Sequence, residues 1–311
     1  MRWEDERQSD NVEDDRGDGG GGFGGFGGGG GPLMFGGGGL GAIVLIGLAL
    51  LFGVDPRSLL QGGSGGGGGY SSSSTFQPGT TYQPGTTQAP QGPRADDEDA
   101  KFSRAVLAYT EDTWTQVFKE HGATYQPPTL VLYDQEHPTG CGEGQSAQGP
   151  FYCPADRRVY LDLSFFHELS DRFGAPGRFA EAYVIAHEVG HHVQNLEGIS
   201  DQAERAEQSA GKVGRNQISV RVELQADCYA GVWAAITNQR THFLDEGDID
   251  QGLAAASAVG DDTLQRETQG RVVPDAFTHG TSAQRTKWFR QGYDNPKLES
   301  CDTFKPDYAD L

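Results

Sequence analysis

Two histidines lie four positions apart, with a glutamate directly after the first, in the segment His187-Glu188-Val189-Gly190-His191. The segment has helical spacing, and on an α-helix positions i and i+4 lie one above the other on the same face. Both imidazoles can therefore reach one metal ion. Glu188 is rotated about 100° away, where its carboxylate can accept a proton from a metal-bound water. This pattern is typical of zinc-assisted hydrolysis, in which the metal acidifies water and polarises a carbonyl.

A surface helix that carries two histidines by chance is the alternative interpretation of this segment. The flanking residues argue against it, because Val184, Ile185, Ala186 and Val193 predict a buried helix. Two buried imidazoles without a metal would be left without enough polar partners, which costs free energy. We therefore expect a metal site rather than an exposed helix face.

A second helical stretch offers a third ligand, because Glu223 and Asp227 also lie four positions apart. Two carboxylates on one helix face repel each other unless a cation or an imidazolium separates them. We expect Glu223 to complete a His-His-Glu site for Zn²⁺, with a fourth position open for water. Asp227 would then accept the spare N–H of a ligand histidine, with His187 the expected partner, and fix its tautomer. An exposed acidic helix face is the alternative.

The elements that must position these residues lie in a domain predicted over 95–311. Helical periodicity extends over 96–120, and short apolar runs predict strands at 129–133, 151–152 and 159–163. After the strands the pattern is helical almost to the end of the chain. Strands followed by helices predict an α+β fold with a small antiparallel sheet and a mostly helical remainder.

The first 94 residues have a different composition, and most of the 47 glycines lie there. Residues 1–32, acidic and then glycine-rich, predict a disordered tail. Residues 33–54 carry no charged side chain and predict a transmembrane helix, since about 20 apolar residues cross a bilayer. Residues 55–94 predict a low-complexity Gly/Ser/Pro/Thr spacer. A cleaved signal peptide is the competing interpretation of 33–54, but such a long polar region before the apolar core is atypical of one.

Charge excludes one class of partner. The net charge is −20, whereas binding to the phosphates of a nucleic acid requires a basic surface. We therefore expect no nucleic acid partner. The 217 residues of the predicted domain are enough to bury a hydrophobic core.

The chain has four cysteines, Cys141, Cys153, Cys228 and Cys301. They are disulfide candidates with three possible pairings, and the sequence does not choose among them. A cysteine metal site is disfavoured because no Cys-x-x-Cys spacing is present. Four free thiols are the alternative expected in the cytosol. A membrane anchor followed by a long spacer favours the oxidising side of a membrane, and with it disulfides.

Several segments together resemble a known family. They are the His187–His191 motif, the Glu223–Asp227 helix, the run Phe-Thr-His-Gly-Thr-Ser-Ala-Gln-Arg at 277–285, and the opening Met1-Arg2-Trp3 with Asn11-Val12-Glu13-Asp14. The chain is identified as a member of the bacterial neutral zinc metallopeptidases, the YpfJ-like proteins. The resemblance covers nearly the whole chain except the glycine tracts and the spacer. It implies a zincin-like (gluzincin) fold and a single membrane anchor with a short cytoplasmic tail, but no known substrate.

The resemblance also implies a catalytic role for His279. Gluzincin-like enzymes place a His, Tyr or Arg where the tetrahedral oxyanion forms, and a fixed donor at that point stabilises the developing charge. Local packing at the start of a helix is the alternative for His279, and Arg285 is a weaker candidate for the same role. His192 faces about 100° away from His191, and we expect it to lie at the surface or to support the site by packing.

Two functions are compatible with these residues. In the first, the protein is a membrane-anchored zinc endopeptidase of protein or peptide substrates, with Glu188 as the general base. It would be a single-pass protein of the bacterial cytoplasmic (inner) membrane, anchored by residues 33–54, with its large C-terminal domain on the periplasmic or extracellular side. In the second, zinc is structural and the domain binds or scaffolds envelope proteins. Glu188 favours the enzyme, because a structural zinc site needs no carboxylate beside its ligands.

Overall fold

The strands of this protein precede almost all of its helices along the chain, as the sequence predicts for an α+β fold. The computed structural model describes residues 1–17 and 97–311. The strands are β1 (Val12–Asp14), β2 (Thr129–Leu132), β3 (Glu136–Thr139), β4 (Gly142–Gln145), β5 (Phe151–Cys153) and β6 (Arg158–Leu161). The helices are α1 (Asp97–Glu120), α2 (Ser164–Asp171), α3 (Arg178–Leu196), α4 (Ile199–Ser209), α5 (Lys212–Thr241), α6 (Asp248–Ala258), α7 (Asp261–Gln269) and α8 (Ser282–Asp294).

The main sheet is mixed, which corrects the prediction of a small antiparallel sheet. Its strand order is β1-β2-β6-β5, with β1, β2 and β6 parallel and only β5 antiparallel to its neighbour. Strands β3 and β4 form a separate antiparallel hairpin. Parallel pairing requires a long crossover, and the hairpin together with β5 supplies it between β2 and β6. Strands of three or four residues are too short for their apolar pattern to distinguish parallel from antiparallel pairing, so the sequence could not predict this arrangement.

The opening segment is part of the folded domain, which differs from the disordered tail predicted over 1–32. Strand β1 pairs with β2, with Val12 opposite Leu130. The Trp3 ring is buried and packs edge-on against Phe102 at 5.3 Å. The buried carboxylate of Glu111 accepts hydrogen bonds from the side chains of the segment, namely Arg7, Ser9 and Asn11. A short polar segment cannot fold alone, but here it completes a sheet and satisfies a buried charge.

The prediction of a single-pass membrane protein is wrong. In the two ranges that the structure describes, every helix is too short or too polar to cross a membrane. Residues 33–54, where the transmembrane helix was predicted, lie outside those ranges, as does the predicted spacer.

Helix α5 packs against α3 on one side and α8 on another, and glycines allow close approach. A Cβ atom on Gly231 of α5 would overlap the carbonyl oxygen of Phe289, and one on Gly292 of α8 would overlap that of Cys228. A Cβ atom on Gly190 of α3 would lie 3.0 Å from the carbonyl oxygen of Ala226. The backbones of the helices that carry the candidate ligands are therefore almost in contact.

The cysteines form two disulfides, Cys141–Cys153 and Cys228–Cys301. The first joins the β3–β4 hairpin to β5. The second joins α5 to a short 3₁₀ turn, Leu298–Cys301, near the end of the chain. The structure thus selects one of the three pairings that the sequence left open.

Candidate metal centre

Helices α3 and α5 cross so that the three candidate ligands meet at one point. One donor atom from each of His187, His191 and Glu223 can be chosen so that all three lie within 4.8 Å of one another. Glu223 lies between the imidazoles, with Oε2 3.2 Å from Nε2 of His187 and Oε1 3.6 Å from Nε2 of His191. The Glu223 side chain is buried, with only 3% of the residue exposed. The absent Cβ of Gly190 permits this crossing.

Asp227 lies behind His187. Its Oδ1 is 2.9 Å from Nδ1 of His187, and the Tyr183 hydroxyl donates to the same oxygen. Arg285 donates to both carboxylate oxygens. Burial raises the pKa of Asp227, but Arg285 and His187 more than offset this and lower it to about 2. Asp227 is therefore an anion that accepts from Nδ1 and leaves Nε2 of His187 directed at Glu223.

The electrostatics of the three donors favour a cation. Burial lowers the pKa of His187, but Asp227 and Glu223 offset this and raise it to about 10. Burial raises the pKa of Glu223, but His191 and His187 hold it well below its usual range. Positive charge is thus strongly favoured at the point where the donors meet. A buried and a half-buried imidazole, together with a buried carboxylate, are a donor set that fits zinc.

Glu188 lies in the same cleft as the three donors. It follows His187 on α3 and is 8% exposed. Burial raises the pKa of its carboxyl, while His187 and His191 act in the opposite direction. A carboxyl group with a raised pKa is suited to accepting a proton and releasing it again within one reaction cycle.

The wall of this cleft is largely apolar. The cleft encloses about 690 Å³, including its solvent-open mouth. The residues that form its apolar wall come from elements far apart in the sequence, and they include Pro150, Phe165, Phe173, Val184 and Leu264. Of these, only Val184 lies beside the His-Glu-x-x-His motif. The sequence carried no signal for the others, since a cleft wall has no local pattern.

His279 also lines the cleft, and Asp261 at the start of α7 holds it there. Asp261 Oδ2 accepts the backbone N–H groups of Thr278, His279 and Gly280 at 2.7, 2.6 and 3.0 Å. Its Oδ1 lies 3.2 Å from Nδ1 of His279. Burial lowers the pKa of His279, but Asp261 more than offsets this and raises it. Sequence reasoning did not identify Asp261, because it lies 18 residues before its partner.

Two other basic residues near the motif have buried partners. Arg285 lines the cleft and donates to both carboxylate oxygens of Asp227, behind His187. His192 is fully buried and packs between strand and helix, with Nε2 2.7 Å from the carbonyl oxygen of Gln126 and Nδ1 3.0 Å from the hydroxyl of Tyr152. Burial lowers the pKa of His192 to about 4. Its neighbours are consistent with packing support for α3.

Two crossing helices of an α+β fold direct two histidines and a glutamate to one point, and a second glutamate lies in the same cleft. This arrangement defines a class of proteins with a His-Glu-x-x-His metal centre. The chain belongs to the family described as "Putative neutral zinc metallopeptidase", which matches residues 1–304. The resemblance noted in the sequence is thereby confirmed. Because the match begins at residue 1, it includes the opening segment that supplies β1.

Relatives from two groups of bacteria are similar to the chain. The uncharacterized protein YpfJ of Escherichia coli strain K12 is 48% identical over 304 residues, which are 98% of this chain and 99% of that protein. The uncharacterized protein Rv2575 of Mycobacterium tuberculosis strain H37Rv is 44% identical over 221 residues, which are 68% of this chain and 73% of that protein. No solved structure matches the chain.

Proposed function

We propose that this protein is a zinc-dependent peptidase that hydrolyses peptide bonds in protein or peptide substrates. One observation carries the proposal, namely that Glu188 shares an apolar cleft with the His187, His191 and Glu223 donors. The family description supports both the metal and the class of reaction. The scaffold alternative has no need of a buried carboxylate in an open cleft beside the metal ligands.

His187, His191 and Glu223 would hold the metal. Zinc bound there supplies a Lewis acid that acidifies water and polarises the substrate carbonyl. Asp227 and Arg285 orient His187 from behind, so that Nε2 rather than Nδ1 is the nitrogen presented to the metal. The chain's own residues thus preform the ligand geometry before a metal arrives.

Glu188 is the proton carrier in this proposal. Its carboxylate removes a proton from the attacking water as the new carbon–oxygen bond forms at the peptide carbonyl. It then delivers that proton to the leaving nitrogen as the carbon–nitrogen bond breaks. His279 lines the cleft and offers a donor to the oxyanion, since the Thr278 hydroxyl and Asp261 contact its Nδ1 and Nε2 is the remaining ring nitrogen.

The cleft wall indicates which substrates fit. Phe165, Phe173, Val184 and Leu264 offer apolar contact beside Glu188. Arg285, the one arginine among the described residues that line the cleft, is neutralised by its two bonds to Asp227 and offers no free charge to a substrate carboxylate. We therefore expect cleavage next to a large apolar side chain in preference to an acidic one.

The test is a digestion of a diverse peptide library by the purified full-length chain. Zinc content is measured in parallel, and a chelator followed by zinc add-back controls for the metal. Chelator-sensitive cleavage next to apolar residues is the expected result. A fully zinc-loaded, folded protein that cleaves no peptide or protein substrate would contradict the peptidase proposal and favour the scaffold.

A further inference from the structure

A chain of amide hydrogen bonds leads away from the second histidine of the motif. Nδ1 of His191 lies 2.8 Å from Oε1 of Gln194, which is 0% exposed. Nε2 of Gln194 donates to the backbone carbonyl of Val222 at 2.7 Å and to Oε1 of Gln225 at 3.0 Å. Nε2 of Gln225 donates to the backbone carbonyl of Cys301 at 3.1 Å. Two buried side chains thus connect His191 to the C-terminal region of the chain.

The backbone carbonyls of Val222 and Cys301 determine which group donates in each of these hydrogen bonds. A backbone carbonyl only accepts, so the atoms facing Val222 and Cys301 must be the amide nitrogens of Gln194 and Gln225. The oxygen of Gln194 then faces His191, and Nδ1 of His191 must be the donor. This leaves the lone pair of Nε2 directed toward Glu223, which is the tautomer that a metal ligand requires.

The Cys228–Cys301 disulfide holds the last acceptor of these hydrogen bonds, the carbonyl of Cys301, in place. Cys228 lies one turn beyond Gln225 on α5, and its bond to Cys301 brings the carbonyl of Cys301 over the Gln225 side chain. A second contact supports the same segment, because the Thr303 hydroxyl donates to the carbonyl of Arg221 at 2.7 Å. The terminal acceptor is therefore covalently attached to the helix that also carries Glu223.

We propose that Gln194 and Gln225 are positioning residues for His191, with the Cys228–Cys301 disulfide as their anchor. The proposal rests on the metal centre of the proposed function but not on peptidase activity. His187 is oriented by a carboxylate, whereas His191 is oriented by neutral amides. The amides fix a tautomer without adding another negative charge to a site that already holds Glu188, Glu223 and Asp227.

The first test measures zinc affinity in the full-length protein by competition with a chromophoric chelator. Gln194→Leu removes the acceptor at nearly constant size, and we expect zinc to bind about 10–100-fold more weakly. Gln194→Glu keeps an acceptor for His191 but places a second oxygen against the carbonyl of Val222, so we expect only part of the affinity to return. Gln208→Leu on the exposed face of α4 is the matched control and should leave the affinity unchanged.

The second test reads the His191 tautomer directly, by ¹⁵N NMR of the metal-free protein above pH 8. The parent should carry its proton on Nδ1, and Gln194→Leu should show a mixture of the two tautomers. Gln225→Leu and the double variant C228S/C301S should shift the mixture in the same direction by smaller amounts. Either of these also serves if Gln194→Leu does not fold.

The outcomes separate this proposal from the metal centre itself. A folded Gln194→Leu variant with zinc affinity within about twofold of the parent and an unchanged tautomer would overturn the positioning role, since the loss expected for such partners is at least tenfold. A parent that binds no zinc at all would overturn the metal centre, and the tautomer measurement would still decide the role of the two glutamines.

Discussion

The guanidinium of Arg285 donates two hydrogen bonds to the carboxylate of Asp227, from Nε to Oδ2 at 2.8 Å and from Nη2 to Oδ1 at 2.9 Å. Both residues are buried, with Arg285 4% exposed. The paired bonds fix the plane of the carboxylate, and that plane determines how Asp227 meets Nδ1 of His187. A residue of α8 thus controls the orientation of a candidate metal ligand on α3.

We expect Arg285→Met to destabilise the protein by about 3–5 kcal/mol, because it leaves the buried Asp227 charge without its partner. Zinc affinity should fall with it, since His187 loses a fixed acceptor. Arg290→Met on the same helix is the control, because Arg290 is exposed and its nearest carboxylate oxygen lies 3.9 Å away. Chemical denaturation and zinc competition measure the two effects. Equal stability of the two variants would show that the ion pair contributes little.

The metal ligands themselves make a sharper prediction. Glu223→Ala should strip most of the zinc from the purified protein, because it removes one of three donors. Glu188→Gln should retain about one zinc per chain, because Glu188 is not among the donors that meet at the site. Elemental analysis after dialysis measures both. Full zinc occupancy in Glu223→Ala would remove Glu223 from the ligand set.

Local periodicity explains which parts of this site were predictable. His187 and His191 are related by one helical turn, and so are Glu223 and Asp227, so helical spacing alone places each pair on one face. A zinc site needs three protein donors, so the sequence predicts that the two helices cross where His187, His191 and Glu223 meet. A ligand histidine needs an acceptor for its other N–H group, and this predicts Asp227 behind His187.

The rest of the site depends on contacts between distant segments. Arg285 reaches Asp227 across 58 residues, and Gln225 reaches Cys301 across 76. Neither contact has a repeating pattern that a sequence could display. The same holds for the sheet, where β1 pairs with a strand more than 100 residues later. A polar segment of three residues carries too little apolar pattern to be recognised as a strand.

Glu207 on α4 gives a prediction about pH. It is 3% exposed, and within the described ranges neither carboxylate oxygen has a hydrogen-bond partner. Burial and then Glu204 raise its pKa from the usual 4.5 to about 7, while Arg215 opposes the shift. The folded state therefore binds a proton more tightly than the unfolded state, so stability is lost as pH rises from about 4.5 to about 7.

Glu207→Gln should remove this loss. We expect the variant to match the parent near pH 4.5 and to exceed it by about 3 kcal/mol at pH 8, because a tenfold change in proton affinity is worth about 1.4 kcal/mol. Urea denaturation at the two pH values measures the difference. Glu267→Gln on the exposed face of α7 is the control, and its stability should differ from that of the parent by the same amount at both pH values. A benefit from Glu207→Gln that is the same at both pH values would contradict the pKa shift.

We expect the contact between α5 and α8 to tolerate no side chain at its two glycines. Gly231→Ala and Gly292→Ala each place a Cβ on a carbonyl oxygen of the facing helix, and we expect each to cost about 3 kcal/mol or more, since overpacking forces backbone shifts. Gly211→Ala, at the start of α5, has no atom within 4 Å of the added Cβ and should cost much less. Thermal unfolding ranks the three variants, and similar melting temperatures would mean that the helices can move apart.

The last prediction separates an enzyme from a zinc-stabilised scaffold. Glu188→Gln keeps the size and a hydrogen-bonding group but removes the base, so zinc binding and unfolding should match the parent while proton transfer fails. General acid–base catalysis contributes about 10²–10⁴-fold, and peptide cleavage should fall by at least that factor. The comparison is made at equal zinc content, with preparations from the same purification. Equal cleavage by both proteins would mean that Glu188 is not the base, because the variant has no carboxylate at this position to accept the proton.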